Sequence, residues 1–391
     1  MPNFESNAKS LKKQSEISYN RRGNALTITI PKTMHAVLLT GYGGTEKLEY
    51  KTDVPVPSPQ RGEVLIRVGA SAVNNTDINT RIGWYSKKIN SDTNSGSTAG
   101  FENVDDSDAS WSGVPLQFPL IQGADCCGRI VAVGDGVNPQ RIGQRVLVRN
   151  MLRAPVGHRP YECWTFGSEC NGGFAQYTTA PDSDTWSINS EWSDTDLASI
   201  PCAYSTAELM LHRANVRSSD TVLITGAGGG VGSAAVQLAK CRGAKVIAIA
   251  SSSKREQILL IGADQVIDRG EDLVKALGKN SVSVVLDIVG GPDWPALLQV
   301  LQIGGRYSVS GAIAGPIVEL DLRTVYLKDL SILGGTWQDD IVFENVVRYI
   351  EENKIKPLVS KVYPLDQIAI AQQDFTEKKH TGKLILLPPQ S

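Results

Sequence analysis

The chain has 391 residues, long enough for two ordinary domains with large cores. Its 39 basic and 41 acidic side chains leave a formal charge of −2, which gives no reason to expect a nucleic acid or an anionic membrane as partner. No apolar run approaches the ~20 residues of a spanning helix, and the polar N-terminal stretch lacks a signal peptide's apolar core. Six cysteines without a regular framework fit a reducing cytoplasm.

Residues 1–33 are polar and basic and read as a flexible extension, with one strand at Leu26–Ile30. The stretches MHAVLLTGYGG and EVLIRVGASAVN read as strands joined by the proline-rich VPVPSPQRGE. Strand character continues through GRIVAVG and QRVLVRN, each closed by a glycine or a polar turn, which implies a largely β domain. Between them Ser86–Gly113 is rich in Ser, Asp, Asn, Gly and Thr, the composition of a long surface loop, either a lid or a decorative insertion.

From residue 184 helices and strands alternate. Thr195–Ala214 reads as a helix, followed by a strand at 221, a helix at 231, a strand at 245 and a helix at 253. Strands follow at VIDR (266), VSVVLDIVG (282) and GGRYSVSG (304). That alternation predicts a parallel sheet with helices on both faces. A final helix, Phe343–Lys354, leads to the strand KLILLPP, so one domain is inserted within another.

The strongest local signal is Thr221–Lys240, TVLITGAGGGVGSAAVQLAK. A β-rich apolar run to Thr225 breaks into glycines at 226, 228, 229, 230 and 232, and a helical pattern follows from Ser233. Strand, glycine turn and helix form the context of a dinucleotide site. The spacing fits G-x-x-G-x-x-G at Gly226, Gly229 and Gly232, whereas strict G-x-G-x-x-G fails at Val231. The N–H groups of Gly229, Gly230 and Val231 would face a pyrophosphate at the positive end of the helix dipole. An NAD enzyme places an acid about 20 residues further on. None occurs from Ala244 to Arg255; Ser251, Ser252, Ser253, Lys254 and Arg255 stand there instead. Hydroxyls beside two cations suit the 2′-phosphate of NADPH; the alternative is a solvated helix start.

The blocks AVNNTDINTRIGWY, PLIQGADCCGRIVAVGDGV, GGFAQYTTAP, the glycine turn, DIVGG and GKLIL occur in that order. Over residues 34–388 the chain thereby resembles the medium-chain dehydrogenase/reductase superfamily, nearest its zinc-free quinone oxidoreductase branch. The resemblance implies an α/β protein. A GroES-like, β-rich catalytic domain would cover 34–183 and 347–391, and a Rossmann doubly wound parallel sheet 184–346. It also implies a cytosolic homodimer or homotetramer.

Zinc-dependent relatives have a Cys where Asn74 stands, a Gly-His-Glu block where Gly123, Ala124 and Asp125 stand, and often a Cys at Cys202. One ligand of three remains, and a catalytic zinc needs three. Cys126 and Cys127 read as small buried apolar residues, while His158, Cys163 and Cys170 do not make the relatives' four-cysteine lobe. No metal is therefore expected. The implied chemistry is hydride delivery from NADPH to a quinone or an α,β-unsaturated carbonyl.

On the same resemblance, Asn74 orients the nicotinamide ribose or the acceptor, Thr76 offers a relay hydroxyl and Tyr85 donates a proton. Asp77 and Arg81 match the branch's N-x-x-D-x-x-x-R pattern and read as a loop-pinning ion pair; Asn79 stands where the branch often has Tyr. Thr206 matches a threonine beside the cofactor, with helix capping as the alternative. Val289, Gly290, Ser310 and Gly311 follow strands at the ends where such sheets bind ligands, and Gly290 is equally a turn residue. Lys383 reads as surface charge. Two other readings stay open: a zinc alcohol dehydrogenase with atypical ligands, and an NADPH-binding protein with little catalysis.

Overall fold

The computed structural model describes residues 29–390. The N-terminal extension as far as residue 28, with most of the strand expected at Leu26–Ile30, lies outside the described residues. Thr29 and Ile30 precede the first described strand, Thr33–Leu39.

A seven-stranded sheet forms the first domain around Glu63–Ala72. Period-two alternation sends Val64, Ile66 and Val68 to one core with Ile130 and Val146, while Leu65 turns to the other with Phe174 and Leu384. The strand Lys383–Leu387, near the end of the chain, pairs antiparallel with Glu63–Ala72, opposing Ile385 to Ala72. The chain therefore returns to finish the sheet it began.

The second sheet is wholly parallel. Its order is Gln265–Asp268, Lys245–Ala250, Thr221–Ile224, Val282–Asp287, Leu301–Val309 and Ser331–Gly334. That is the 3-2-1-4-5-6 order of a doubly wound domain, with its switch point between Thr221–Ile224 and Val282–Asp287. Val222, Ile224, Val246 and Leu286 pack under the helices Pro201–Arg213 and Gly230–Cys241; Leu223, Ile247 and Val285 pack under Trp294 and Leu297 on the other face. Both faces are apolar because both are covered.

Three expectations need correction. The helix expected over Thr195–Ala214 is two helices, Asp194–Ala198 and Pro201–Arg213, because Pro201 lacks the N–H to continue a helix. The last long helix of the parallel-sheet unit runs Asp340–Glu351, and Phe343, Val346, Tyr349 and Ile350 pack into that unit's core. The boundary expected at 346/347 thus falls inside one continuous apolar stripe. At the other crossing, Thr185–Ser187 still pairs with Arg145–Val148 of the first sheet. All six cysteines carry free thiols, and no helix among the described residues is long and apolar enough to cross a membrane.

Candidate active site

The glycine turn leaves Thr221–Ile224 at the switch point. Gly226 takes φ +59°, and a Cβ at Gly232 would lie 2.3 Å from the Gly226 carbonyl oxygen, so the helix can sit this close only on glycine. Gly229 is the N-cap of Gly230–Cys241. Its own N–H donates to the Gly226 carbonyl at 3.0 Å, contrary to the expectation that it faces a phosphate. The N–H groups of Gly230 and Val231 lie in the first turn, with no helical carbonyl to receive them.

Beside this turn the chain gathers cations without carboxylates. Lys254 lays its stem over Gly228, and its Nζ donates to the Lys378 carbonyl at 2.9 Å and to the His380 carbonyl. Lys378 is half-buried; its Nζ lies 3.8 Å from the Phe375 ring centroid and 3.3 Å from Asn75 Oδ1. Burial first, then the Lys254 charge, pulls the Lys378 ammonium down to about 7. Arg269 in turn lowers Lys254, after burial. Arg255 points away, half-exposed and 3.9 Å from Asp268. The hydroxyls of Ser251 and Ser253 are 3.1 Å apart at the end of Lys245–Ala250, and Ser252 is exposed beside them. Among the described residues, no carboxylate pairs with Lys254 or Lys378. Sequence reasoning named Lys254 but missed Lys378 and Arg269, which come from other elements.

Between the glycine turn and the first sheet lies a polar clamp. Asp125 is fully buried; its Oδ1 accepts the Cys202 backbone N–H at 2.7 Å, and its Oδ2 accepts Asn74 Nδ2 at 2.7 Å and Lys383 Nζ at 2.9 Å. Lys383 also donates to Asn74 Oδ1. With 3% of its surface exposed, Lys383 is not the surface charge expected from sequence. Its stem crosses the start of the glycine-turn helix, where a Cβ on Gly230 would meet Lys383 Cδ at 2.9 Å. Asn74 therefore offers little free amide: both ends are engaged within the clamp.

Asp77 and Arg81 do not form the expected ion pair. Asp77 closes a capping box on the helix Asn75–Ile82, accepting the Asn74 N–H at 2.7 Å, and it also accepts the N–H groups of Gly123 and Ala124, each at 3.2 Å. Burial pushes its carboxyl up to about 7 against the pull of these donors. Arg81 is fully buried and reaches Gln372 Oε1 at 2.8 Å and the Gly43 carbonyl at 2.7 Å. Carboxylate and guanidinium each have better partners elsewhere.

Thr76 and Tyr85 do come together. The Tyr85 hydroxyl donates to Thr76 Oγ1 at 3.1 Å, and burial raises the phenol above its ordinary range. Trp111, unnoticed in the sequence, donates its Nε1–H to the same Thr76 oxygen at 2.9 Å. It arrives on the 86–113 segment, which is no loose decoration. Ser86, Thr93, Ala109 and Ser110 are buried, and the Thr93 N–H donates to the Ile313 carbonyl of the parallel-sheet unit at 3.1 Å.

In the parallel sheet, buried Asp287 shapes the loop after its strand. It accepts the Thr225 hydroxyl at 2.6 Å, the Val289 N–H at 2.9 Å, the Gly290 N–H at 3.2 Å and the Tyr307 hydroxyl at 2.6 Å. Gly290 takes φ +61°, and the Ala314 N–H donates to the Val289 carbonyl at 2.8 Å, so the loops after Val282–Asp287 and Leu301–Val309 pack together. Ser310 Oγ donates to the Gly335 carbonyl at 2.8 Å, with Gly311 beside Ile288. Thr206 bonds to the Cys202 thiol, whose ionisation burial and the Asp125 charge oppose.

The donor set at the positions matching zinc ligands is an amide, a methyl group and a protonated thiol. The adjacent carboxylate is already bound to an ammonium. Zinc requires three converging, deprotonated or neutral-imidazole ligands, and no group of three His, Cys, Asp or Glu side chains able to hold a metal occurs among the described residues. These residues do not fit a catalytic zinc.

A family model for the alcohol dehydrogenase GroES-like domain matches residues 60–190, and one for the zinc-binding dehydrogenase matches 230–352. A putative alcohol dehydrogenase from Sinorhizobium meliloti 1021 is 44% identical, with TM-score 0.81 over 92% of this chain and 98% of that one. Quinone oxidoreductase from Mus musculus is 30% identical over 91% of this chain and 98% of its own. Acryloyl-coenzyme A reductase from Metallosphaera sedula is 29% identical over 90% and 99%. With a GroES-like domain, a doubly wound parallel sheet and relatives matched over nearly their whole length, the chain belongs to the medium-chain dehydrogenase/reductase superfamily of oxidoreductases.

Proposed function

We propose that the protein is an NADPH-dependent reductase acting on a quinone or another α,β-unsaturated carbonyl, without catalytic zinc. The observation that carries this reading is the clamp, in which the Lys383 ammonium binds Asn74, at a position matching a metal ligand, and Asp125, next to another. A conjugated acceptor needs less Lewis-acid help than an isolated ketone, because its negative charge spreads. Bound NADPH supplies the hydride.

The chain's part is to position, exclude water and hold charge. The first-turn N–H groups of Gly230 and Val231 suit the diphosphate. Lys254, Arg269 and Lys378 beside Ser251–Ser253 suit the 2′-phosphate, because grouped cations lacking carboxylates favour an anion. Val289, Gly290, Ser310 and Gly311 line the carboxyl edge where the nicotinamide would lie, opposite Asn74, Thr76 and Thr206. Thr76 offers its hydroxyl hydrogen to the acceptor, with the Tyr85 hydroxyl behind it as the next donor of a relay.

A second copy of the chain is the proposed partner. The edge strand Ser331–Gly334 and its neighbours expose Ile303, Leu322, Tyr326 and Leu327, each more than 60% accessible. An unpaired edge beside an apolar patch suits isologous pairing.

The test is NADPH oxidation against a panel of quinones and alkenals, before and after chelation. Turnover undiminished by chelation is expected. No turnover on any acceptor refutes the reductase, and stoichiometric zinc in an active preparation refutes the metal-free site.

A further inference from the structure

We propose that Trp111 is a positioning and specificity-determining residue. Its indole N–H fills one lone pair of the Thr76 hydroxyl and so favours that hydroxyl as a donor to the acceptor oxygen, and its ring selects flat conjugated acceptors. The proposal rests on the reductase reading above.

A threonine hydroxyl has one hydrogen to give and two lone pairs to receive with. Here Thr76 Oγ1 receives the Trp111 Nε1–H at 2.9 Å and the Tyr85 O–H at 3.1 Å. With both lone pairs filled, its own hydrogen has to point elsewhere, and Thr76 makes no hydrogen bond as a donor among the described residues. A tyrosine–threonine pair alone could run in either direction. An indole N–H cannot accept, so Trp111 holds one Thr76 lone pair whichever way the pair runs, and Tyr85 on the other leaves the Thr76 hydrogen to the acceptor.

The ring is also held firmly. It lies 4.9 Å from the Tyr85 ring, tilted by 49°. The next residue, Ser112, donates its N–H to Glu169 Oε1 at 2.9 Å, and Ser110 before it donates its hydroxyl to the Val114 carbonyl at 2.7 Å. The Trp84 ring centroid stands 5.7 Å from that of Tyr85. Trp84, Tyr85 and Trp111 are each only half-buried, leaving aromatic surface beside Thr76. Such a wall favours planar conjugated acceptors through offset stacking. The Thr93–Ile313 tie seats the same segment against the loop that follows Leu301–Val309, so the wall is preorganised relative to the parallel sheet.

The experiment separates the N–H from the ring. Trp111→Phe keeps a ring and loses the donor; Trp111→Ala loses both. Turnover numbers and KM are measured with a bicyclic quinone and a straight-chain alkenal, alongside NADPH affinity as a check on folding. For Trp111→Phe, kcat should fall about tenfold on both acceptors with KM within about twofold, a loss set by one positioned donor. Trp111→Ala should add about a tenfold rise in KM for the quinone only. Adding Thr76→Val to Trp111→Phe should cost little more than Thr76→Val alone, because the two act as one unit. Unchanged kcat in Trp111→Phe, or fully additive losses in the double variant, overturns the positioning role. Equal KM changes on the two acceptors overturn the selective wall. Wild-type protein inert toward both acceptors would instead fail the reductase reading, and this proposal with it.

Discussion

Lys383→Met tests whether the clamp is a buried ion pair or an incidental contact. The substitution keeps the stem and removes the ammonium, leaving Asp125, fully buried, with the Cys202 N–H and Asn74 Nδ2, both at 2.7 Å. Breaking one side of a buried pair costs ~3–5 kcal/mol, and two retained hydrogen bonds, each worth ~1 kcal/mol, hold the loss near the lower end. We expect a destabilisation of ~3 kcal/mol. Replacing both charges should be far milder, so Asp125→Asn with Lys383→Met should recover all but ~1 kcal/mol. Denaturant unfolding of the four proteins in the cycle, followed by tryptophan fluorescence, reads the coupling directly. A Lys383→Met midpoint equal to wild type, or a coupling below ~0.5 kcal/mol, would mean that Lys383 is ordinary surface charge and that the clamp does not bear on the site.

Lys378→Ala should weaken NADPH binding by ~1.5–3 kcal/mol, roughly ten- to a hundredfold, and leave NADH nearly unchanged; calorimetric titration with both nucleotides checks it, and equal losses refute the phosphate assignment. Because Lys378 is lowered to about 7 in the free protein, a bound phosphate must raise it, so NADPH binding takes up a proton. Affinity should accordingly be full below that value and fall as pH rises above it, by up to about tenfold per unit, while the NADH profile stays flat. Leu327→Glu, placed in the exposed patch, should convert a dimer to a monomer on a sizing column; an unchanged elution volume excludes that face.

The parallel-sheet half was legible because its signals are local. An apolar run, a glycine turn and a helix sit within twenty residues of one another, and the missing acid after Lys245–Ala250 could be read by inspection. The clamp was not legible. Lys383 lies 258 residues from Asp125 and 309 from Asn74, and a lysine between a glycine and an apolar strand carries no mark of burial. For Asp77 the i,i+4 spacing to Arg81 suggested a pair, yet the same segment held an N-cap Asn with Asp three residues on, the capping box that prevailed. Trp111 had one usable signal, an indole alone in a stretch of Ser, Asp and Gly, where a purely solvated loop has no use for it. The single helix expected over Thr195–Ala214 broke because its apolar period ignored Pro201.

The strand carrying Lys383 comes after the entire parallel sheet, yet it belongs beside Glu63–Ala72. A chain emerging from the ribosome can lay down all six parallel strands while Asp125 still waits for its cation. The clamp is therefore completed only after the parallel sheet has been made, by a strand that long-range topology, not local folding, brings back to Asp125.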